Sequence, residues 1–186
     1  MKIDDLLPDL LPDVPGCPRA TARDHLRRAA QQFARDTHAW EVELDRFTPS
    51  ASYLDYRIRV PELARVVAIT SVLHDSGGKE TPVGHIWRPP MIVLADKLSS
   101  GKVIVRGVLE PDDAATAIDD ALAYYRDAIL DYARMRLLMM PRQEWTNPEL
   151  GFAFRRQYET RVIDARIEVQ RGGTTQSLRV QAHPFV

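Results

Sequence analysis

The chain has 186 residues, with 25 Lys and Arg against 26 Asp and Glu and a single cysteine, Cys17. The length suffices for one compact domain with a sizeable core, while one cysteine excludes an intrachain disulfide and a cysteine-built metal cluster and points to a reducing compartment. A formal net charge of −1 argues against dedicated nucleic-acid binding, which shows as a basic excess.

No stretch approaches the roughly 18 uninterrupted apolar residues of a membrane-spanning helix. The acidic residues and prolines of Met1 to Val14 also break the apolar run that a signal peptide needs. A soluble, non-exported chain is expected, opening on an extended, proline-punctuated arm. Pro15-Gly16-Cys17-Pro18 then forms a turn that places Pro18 at a helix start. Ala22, Leu26, Ala29, Phe33 and Trp40 repeat at helical steps and predict a helix from about Pro18 to Thr37.

At Trp40 the apolar period changes to two. Trp40, Val42 and Leu44 alternate with Glu41, Glu43 and Asp45, and Tyr56, Ile58 and Val60 alternate with charged residues up to Pro61, the pattern of half-buried strands. A third strand is predicted over Ala64 to Leu73, with Asp75-Ser76-Gly77-Gly78-Lys79 as its hairpin turn. Further strands are predicted at Met91 to Leu94 and Lys102 to Val108, and Pro82 and Pro89-Pro90 restrict which strands are central.

Glu110-Pro111-Asp112-Asp113 reads as a helix start. Ile118, Leu122, Tyr125, Ile129 and Tyr132 then predict one long helix running to Met139 or Met140 before Pro141. Asn147 as N-cap, with Pro148 and Glu149 in the first turn, predicts a second long helix ended by Gly172-Gly173. The tail from Thr174 alternates as an extended segment. The expected fold is therefore α+β. An antiparallel helical bundle, the N-terminal helix plus two long C-terminal helices over residues 17–38 and 111–172, carries an inserted small antiparallel β domain over 40–109. Extended arms flank it, and the C-terminal tail covers 174–186.

The residues that carry chemistry elsewhere do not converge in this sequence. The histidines at 25, 38, 74, 85 and 183 lack metal-ligand spacing with one another or with Cys17, and no phosphate loop or nucleophile elbow appears. The carboxylate pairs Asp4-Asp5, Asp112-Asp113 and Asp119-Asp120 are adjacent residues that point about 100° apart on a helix. They fit helix starts and solvated faces. No catalytic residue, cofactor or metal is expected. Arg23, Arg27, Arg28 and Arg35, and likewise Arg155, Arg156, Arg161 and Arg166, read as solvated or ion-paired helix faces. Trp40, Trp87 and Trp145 lie at element boundaries, where a large ring seals a junction. Met135, Met139 and Met140 beside Leu137 and Leu138 make one helix end apolar nearly all round, which suggests a subunit contact.

Two segments carry a family likeness. One runs from Leu10-Leu11-Pro12-Asp13-Val14-Pro15-Gly16-Cys17-Pro18 through Ala22 to Phe33 and Trp40. The other runs through Leu137-Leu138-Met139-Met140-Pro141, Trp145-Thr146-Asn147-Pro148-Glu149-Leu150 and Tyr158 to Ala165-Arg166. Together they resemble the head-to-tail connector, or neck adaptor, proteins of tailed bacteriophages. The resemblance implies a non-enzymatic virion protein, made in the host cytoplasm, that forms a homo-oligomeric ring of about twelve copies under the portal protein. Such a ring extends the DNA channel without reading sequence, docks a downstream tail or neck protein, and touches no membrane. Trp145, Asn147 and Pro148 are the implied structural joint. Leu178, Arg179, Val180, Gln181, His183 and Phe185 are candidate contacts to portal or neighbouring subunit, by strand pairing of the tail.

Two other readings compete. Another neck or tail-completion protein follows the same non-enzymatic logic and differs in its docking partner. A small hydrolase assembled from scattered residues such as His74, Asp75 and His85 requires a convergence that no motif indicates.

Overall fold

A computed structural model describes residues 1–171. Four successive leucine and valine positions explain its first surprise. Leu6, Leu7, Leu10 and Val14 are fully buried because their steps of one, three and four put them on one side of a helical path. The N-terminus therefore coils as a 3₁₀ turn (Ile3–Leu6), helix α1 (Leu7–Leu10) and a second 3₁₀ turn (Leu11–Asp13). Pro8 and Pro12 fall in first turns, where the missing N–H costs no helical hydrogen bond. The expected extended N-terminal arm is thus corrected to a folded part of the core.

Helix α2 (Arg19–Thr37) buries Ala22, Leu26, Ala29, Ala30, Phe33 and Ala34 completely. It ends on His38 in the left-handed region, whose N–H reaches Ala34 O at 2.9 Å. Seven strands follow: β1 (Glu41–Phe47), β2 (Asp55–Arg57), β3 (Ala64–Ser76), β4 (Lys79–Pro82), β5 (His85–Arg88), β6 (Met91–Leu94) and β7 (Lys102–Pro111). They form two antiparallel sheets, one ordered β1-β7-β3-β4 and one ordered β2-β6-β5. Gly77 and Gly78 have positive φ in the β3–β4 turn, as such hairpins require. Pro82 ends an edge strand, where no ladder hydrogen bond is lost. Short β4 and β5 were not among the expected strands.

The central β7 is buried along most of its length, with α2 packed against it. Gly107 on β7 is required sterically, since a Cβ there meets Leu44 Cδ1 at 2.7 Å and Ala68 O at 2.8 Å. One hydrophobic cluster joins the N-terminal coil, α2, both sheets and the C-terminal helices. The β region is therefore not a small insertion hung on a helical bundle.

The expected single helix from 110 to 140 is the second correction. Pro111 belongs to β7, and Asp112 turns the chain by accepting the Ala114 N–H at 2.8 Å. The next residues lie along the N-terminus: Ile3 N–H donates to Thr116 O at 3.0 Å and Ile118 N–H to Met1 O at 2.8 Å. Asp119 then caps the single turn of α3 (Asp120–Ala123), accepting from Ala121 N–H at 3.0 Å. Tyr125 leaves helical geometry before α4 (Arg126–Leu138), which has 13 residues. Short aspartate side chains satisfied the backbone locally and replaced two turns of the expected helix. α5 (Pro148–Gln170) has 23 residues and packs along α4. The expected bundle with two long C-terminal helices gives way, among the described residues, to a mixed α+β fold of five α-helices and two antiparallel sheets.

Candidate interaction surfaces

The turn between α4 and α5 is built from hydrogen bonds that a short polar sequence supplies. Thr146 Oγ1 donates to Met140 O at 2.6 Å and accepts from Gln143 N–H at 3.0 Å. Asn147 N–H donates to Leu138 O at 2.9 Å, and its side-chain oxygen accepts from Leu150 N–H at 3.1 Å. Pro148 occupies the first turn of α5. Trp145 is half-buried against the main core, with its buried Nε1 lacking a hydrogen-bond partner. Gly151 lets α5 approach α4, because a Cβ there sits 3.0 Å from Met139 Cγ. Trp145, Asn147 and Pro148 thus meet in one reversal that sets the angle of α5.

Below this joint, α2, α4 and α5 enclose a groove of about 1070 Å³. Its floor includes Tyr132, Met135, Met139 and Val162, and its rim mixes Arg28, Arg136, Arg155 and Arg166 with Asp36 and Glu159, Ile163 closing one edge. An aromatic seam holds the three helices together, with Tyr132 and Tyr158 rings 4.8 Å apart and Phe33 and Tyr158 rings 6.4 Å apart. Tyr158 O–H donates to Asp36 Oδ2 at 2.6 Å; burial, then this bond to a carboxylate, pushes its pKa up. His25 at the groove edge is held below the ordinary histidine value by burial and by the Arg28 and Arg136 guanidinium groups, with Asp24 opposing them.

Two buried carboxylates organise the charges. Glu110, 2% exposed, accepts from Arg35 and Arg65, and Asp131, also 2% exposed, accepts from Arg134 at 3.2 Å and Arg161 at 2.9 Å. Burial pushes the Asp131 carboxyl up, while Arg161 and Arg134 pull it back. Arg27 and Arg28 both meet Asp24, and Arg155 meets Glu159. Neither hub is visible as a complete motif, because Glu110 meets arginines 75 and 45 positions away and Asp131, with Arg134 three positions on, takes Arg161 from 30 positions away.

α5 has a second apolar side. Tyr158, Val162 and Ala165 are buried, whereas Phe152, Ile163 and Ile167 are 53%, 57% and 42% exposed. At 100° per residue these three fall within a sector of about 60°, on the flank away from the buried residues. Such a stripe on a surface helix is unusual when three large apolar side chains are aligned.

The residues considered for chemistry are engaged locally. His74 Nε2 lies 2.7 Å from Ser100 O, Asp75 accepts from Gly78 N–H at 2.9 Å, and His85 Nδ1 is 3.3 Å from Val83 O. Cys17 is buried, which pushes its thiol pKa up. Among the described residues no group of three His, Cys, Asp or Glu is placed to hold a metal, and no helix is long and apolar enough to cross a membrane. Leu178, Arg179, Val180, Gln181, His183 and Phe185 lie outside the described residues. No protein-family model and no curated protein matches this sequence.

Proposed function

We propose that the chain is a structural head-to-tail adaptor of a tailed-phage neck, without enzymatic activity, which assembles as a ring on the portal and docks the tail. The reading begins from the sequence resemblance in the α2 and α4–α5 segments. The observation that carries it furthest is the exposed stripe Phe152, Ile163 and Ile167 on α5. A head-to-tail ring needs two different complementary faces on each subunit. A helix that buries one side within its own subunit and keeps a second apolar side outside supplies one of them. The groove beside it meets the stripe at Ile163 and differs from it in a charged rim, where Asp36 and Glu159 accompany Arg28, Arg136, Arg155 and Arg166, and it supplies a second face.

Purified protein, alone and mixed with its portal, distinguishes the possibilities by light-scattering mass and electron-microscope class averages. A monomer or ring that stacks coaxially on the portal supports the adaptor. No association with the portal, or a closed dimer, redirects the assignment to another neck or tail-completion component or to an unrelated protein. Deletion of residues 174–186 is expected to abolish portal attachment with the melting temperature retained, and a truncated chain that still attaches removes the tail from the docking surface.

A further inference from the structure

We propose that the end of the small sheet bearing Arg57, Arg59 and Arg88 is a contact site for the phosphate backbone of nucleic acid. Arg57 on β2 and Arg88 on β5 are both in register with Met91 of the intervening β6. Residues in register point to the same face of a sheet, and two strand spacings separate the two arginines by about 10 Å. Arg59 follows Arg57 by two residues. Ile58 between them is 3% exposed, whereas both arginines are exposed. Arg59 lies two residues past the end of β2, exposed as Arg57 is and within about 7 Å of it along the chain.

What separates these arginines from Arg19, Arg106 and Arg142, which among the described residues likewise make no ion pair, is that the three gather at one end of one sheet, whereas those others are scattered over α2, β7 and the α4–α5 turn. On the helices and N-terminal coil, Arg23 meets Asp4, Arg35 meets Glu110, Arg126 meets Asp9 and Arg134 meets Asp13. Among the described residues, the guanidinium groups of Arg57, Arg59 and Arg88 make no ion pair. Asp45, the carboxylate bonded to this segment, accepts instead from the backbone N–H groups of Arg46 and Arg59. The three guanidinium groups thus outnumber the two carboxylates beside them, Asp45 and Asp55, in a chain whose formal net charge is −1.

The chemistry favours a polyphosphate over an acidic protein segment. Guanidinium binds phosphate oxygens in pairs through its planar fork, and a nucleic-acid strand repeats its charge closely enough to meet all three arginines at once. An acidic peptide gains its affinity from apolar anchors in enclosed pockets, and the depression here, lined by Arg57 and Arg59 with Ile58, Val60 and Pro90, is open to solvent. The contact is sequence-independent, since phosphates carry no base information. It deepens the adaptor reading by naming a surface for channel DNA and rests on that reading for its setting.

The test is fluorescence anisotropy of a labelled random duplex of about 30 base pairs with the full chain at low salt. Three phosphate contacts give a slope of log affinity against log salt of about −2.7, so that affinity falls about 500-fold between roughly 20 and 200 mM salt. The triple variant Arg57→Gln, Arg59→Gln, Arg88→Gln is expected to lose binding. A control with the same charge change, Arg19→Gln, Arg106→Gln, Arg142→Gln, is expected to retain it. If the triple variant misfolds, Arg57→Gln and Arg88→Gln singly are each expected to flatten the slope by about 1. Wild-type protein that does not bind at low salt, a triple variant that binds as wild type, or equal losses in both triples overturns the proposal. Poly-glutamate bound more tightly than duplex overturns it in favour of an acidic protein partner. Portal association of the same variants is measured separately: lost DNA binding with retained portal attachment supports both readings, and wild-type DNA binding without portal attachment removes only the adaptor.

Discussion

Glu110 stands at the end of β7 with Arg65 Nε 2.6 Å and Arg35 Nη2 2.8 Å from one carboxylate oxygen. The carboxylate is 3% exposed as a side chain, and the two arginines are 46% and 45% exposed. Glu110→Gln keeps the volume and removes the charge. The guanidinium groups can turn to water, so the loss is that of charge-assisted bonds at a buried acceptor, about 1–3 kcal/mol, read as a lower urea midpoint; an unchanged midpoint refutes the hub. His25 gives a pH-dependent counterpart. Its folded pKa is depressed by burial and by Arg28 and Arg136, with Asp24 opposing, so the unfolded chain binds more protons at this position in mildly acidic solution. The contribution is fully present above the unfolded value, near pH 6.5, and is lost as pH falls through the lower folded value. His25→Gln should therefore lose less stability than wild type when denaturation is compared at pH 7.5 and pH 5. Parallel decreases in the two proteins count against this account. Residues differ in how far sequence reveals them: the Asn147 cap is readable because its acceptor and donor lie three positions apart, whereas Glu110 finds arginines 75 and 45 positions away.

The same distinction holds among elements. Strand periods at β1 and β3 and the Gly77-Gly78 turn are legible because their causes are local alternation and positive φ. The segment before α4 is not, since its apolar residues keep helical spacing while Asp112 and Asp119 divert the backbone and Met1 and Ile3 take up its hydrogen bonds. Nor is the N-terminal coil, where prolines and acids obscure a stripe whose partner is formed by distant helices. Leu10 tests that element. It is fully buried and belongs to the main hydrophobic cluster, so Leu10→Ala removes transferred surface and leaves a cavity, at an expected cost of about 2–5 kcal/mol. A mobile extended arm predicts almost no change. Calorimetric or urea unfolding decides between a core element and an appendage.

For the whole molecule, one continuous core places α5 on its outside, one flank committed to α4 and α2 and the other carrying Phe152, Ile163 and Ile167. On the adaptor proposal, stability and assembly fall to different sides of one helix, and a substitution can separate them. Ile163 and Ile167 are one turn apart, so Ile163→Glu with Ile167→Glu places two adjacent carboxylates on the exposed flank without touching Tyr158, Val162 or Ala165. At such surface positions folding stability shifts by about 0.5 kcal/mol or less per residue. In an assembled interface each carboxylate is desolvated without a partner, and each 1.4 kcal/mol lost there weakens association about tenfold. The double variant is expected to melt within a few degrees of wild type yet to sediment as a monomer and to fail to coat the portal. If it assembles as wild type does, neither the α5 stripe nor the Ile163 edge of the groove is the subunit contact, and the Met135 and Met139 floor of the groove between α2, α4 and α5 becomes the surface to mutate next. If it unfolds, Phe152→Ser, on the same flank but in the first turns of α5, separates loss of fold from loss of assembly.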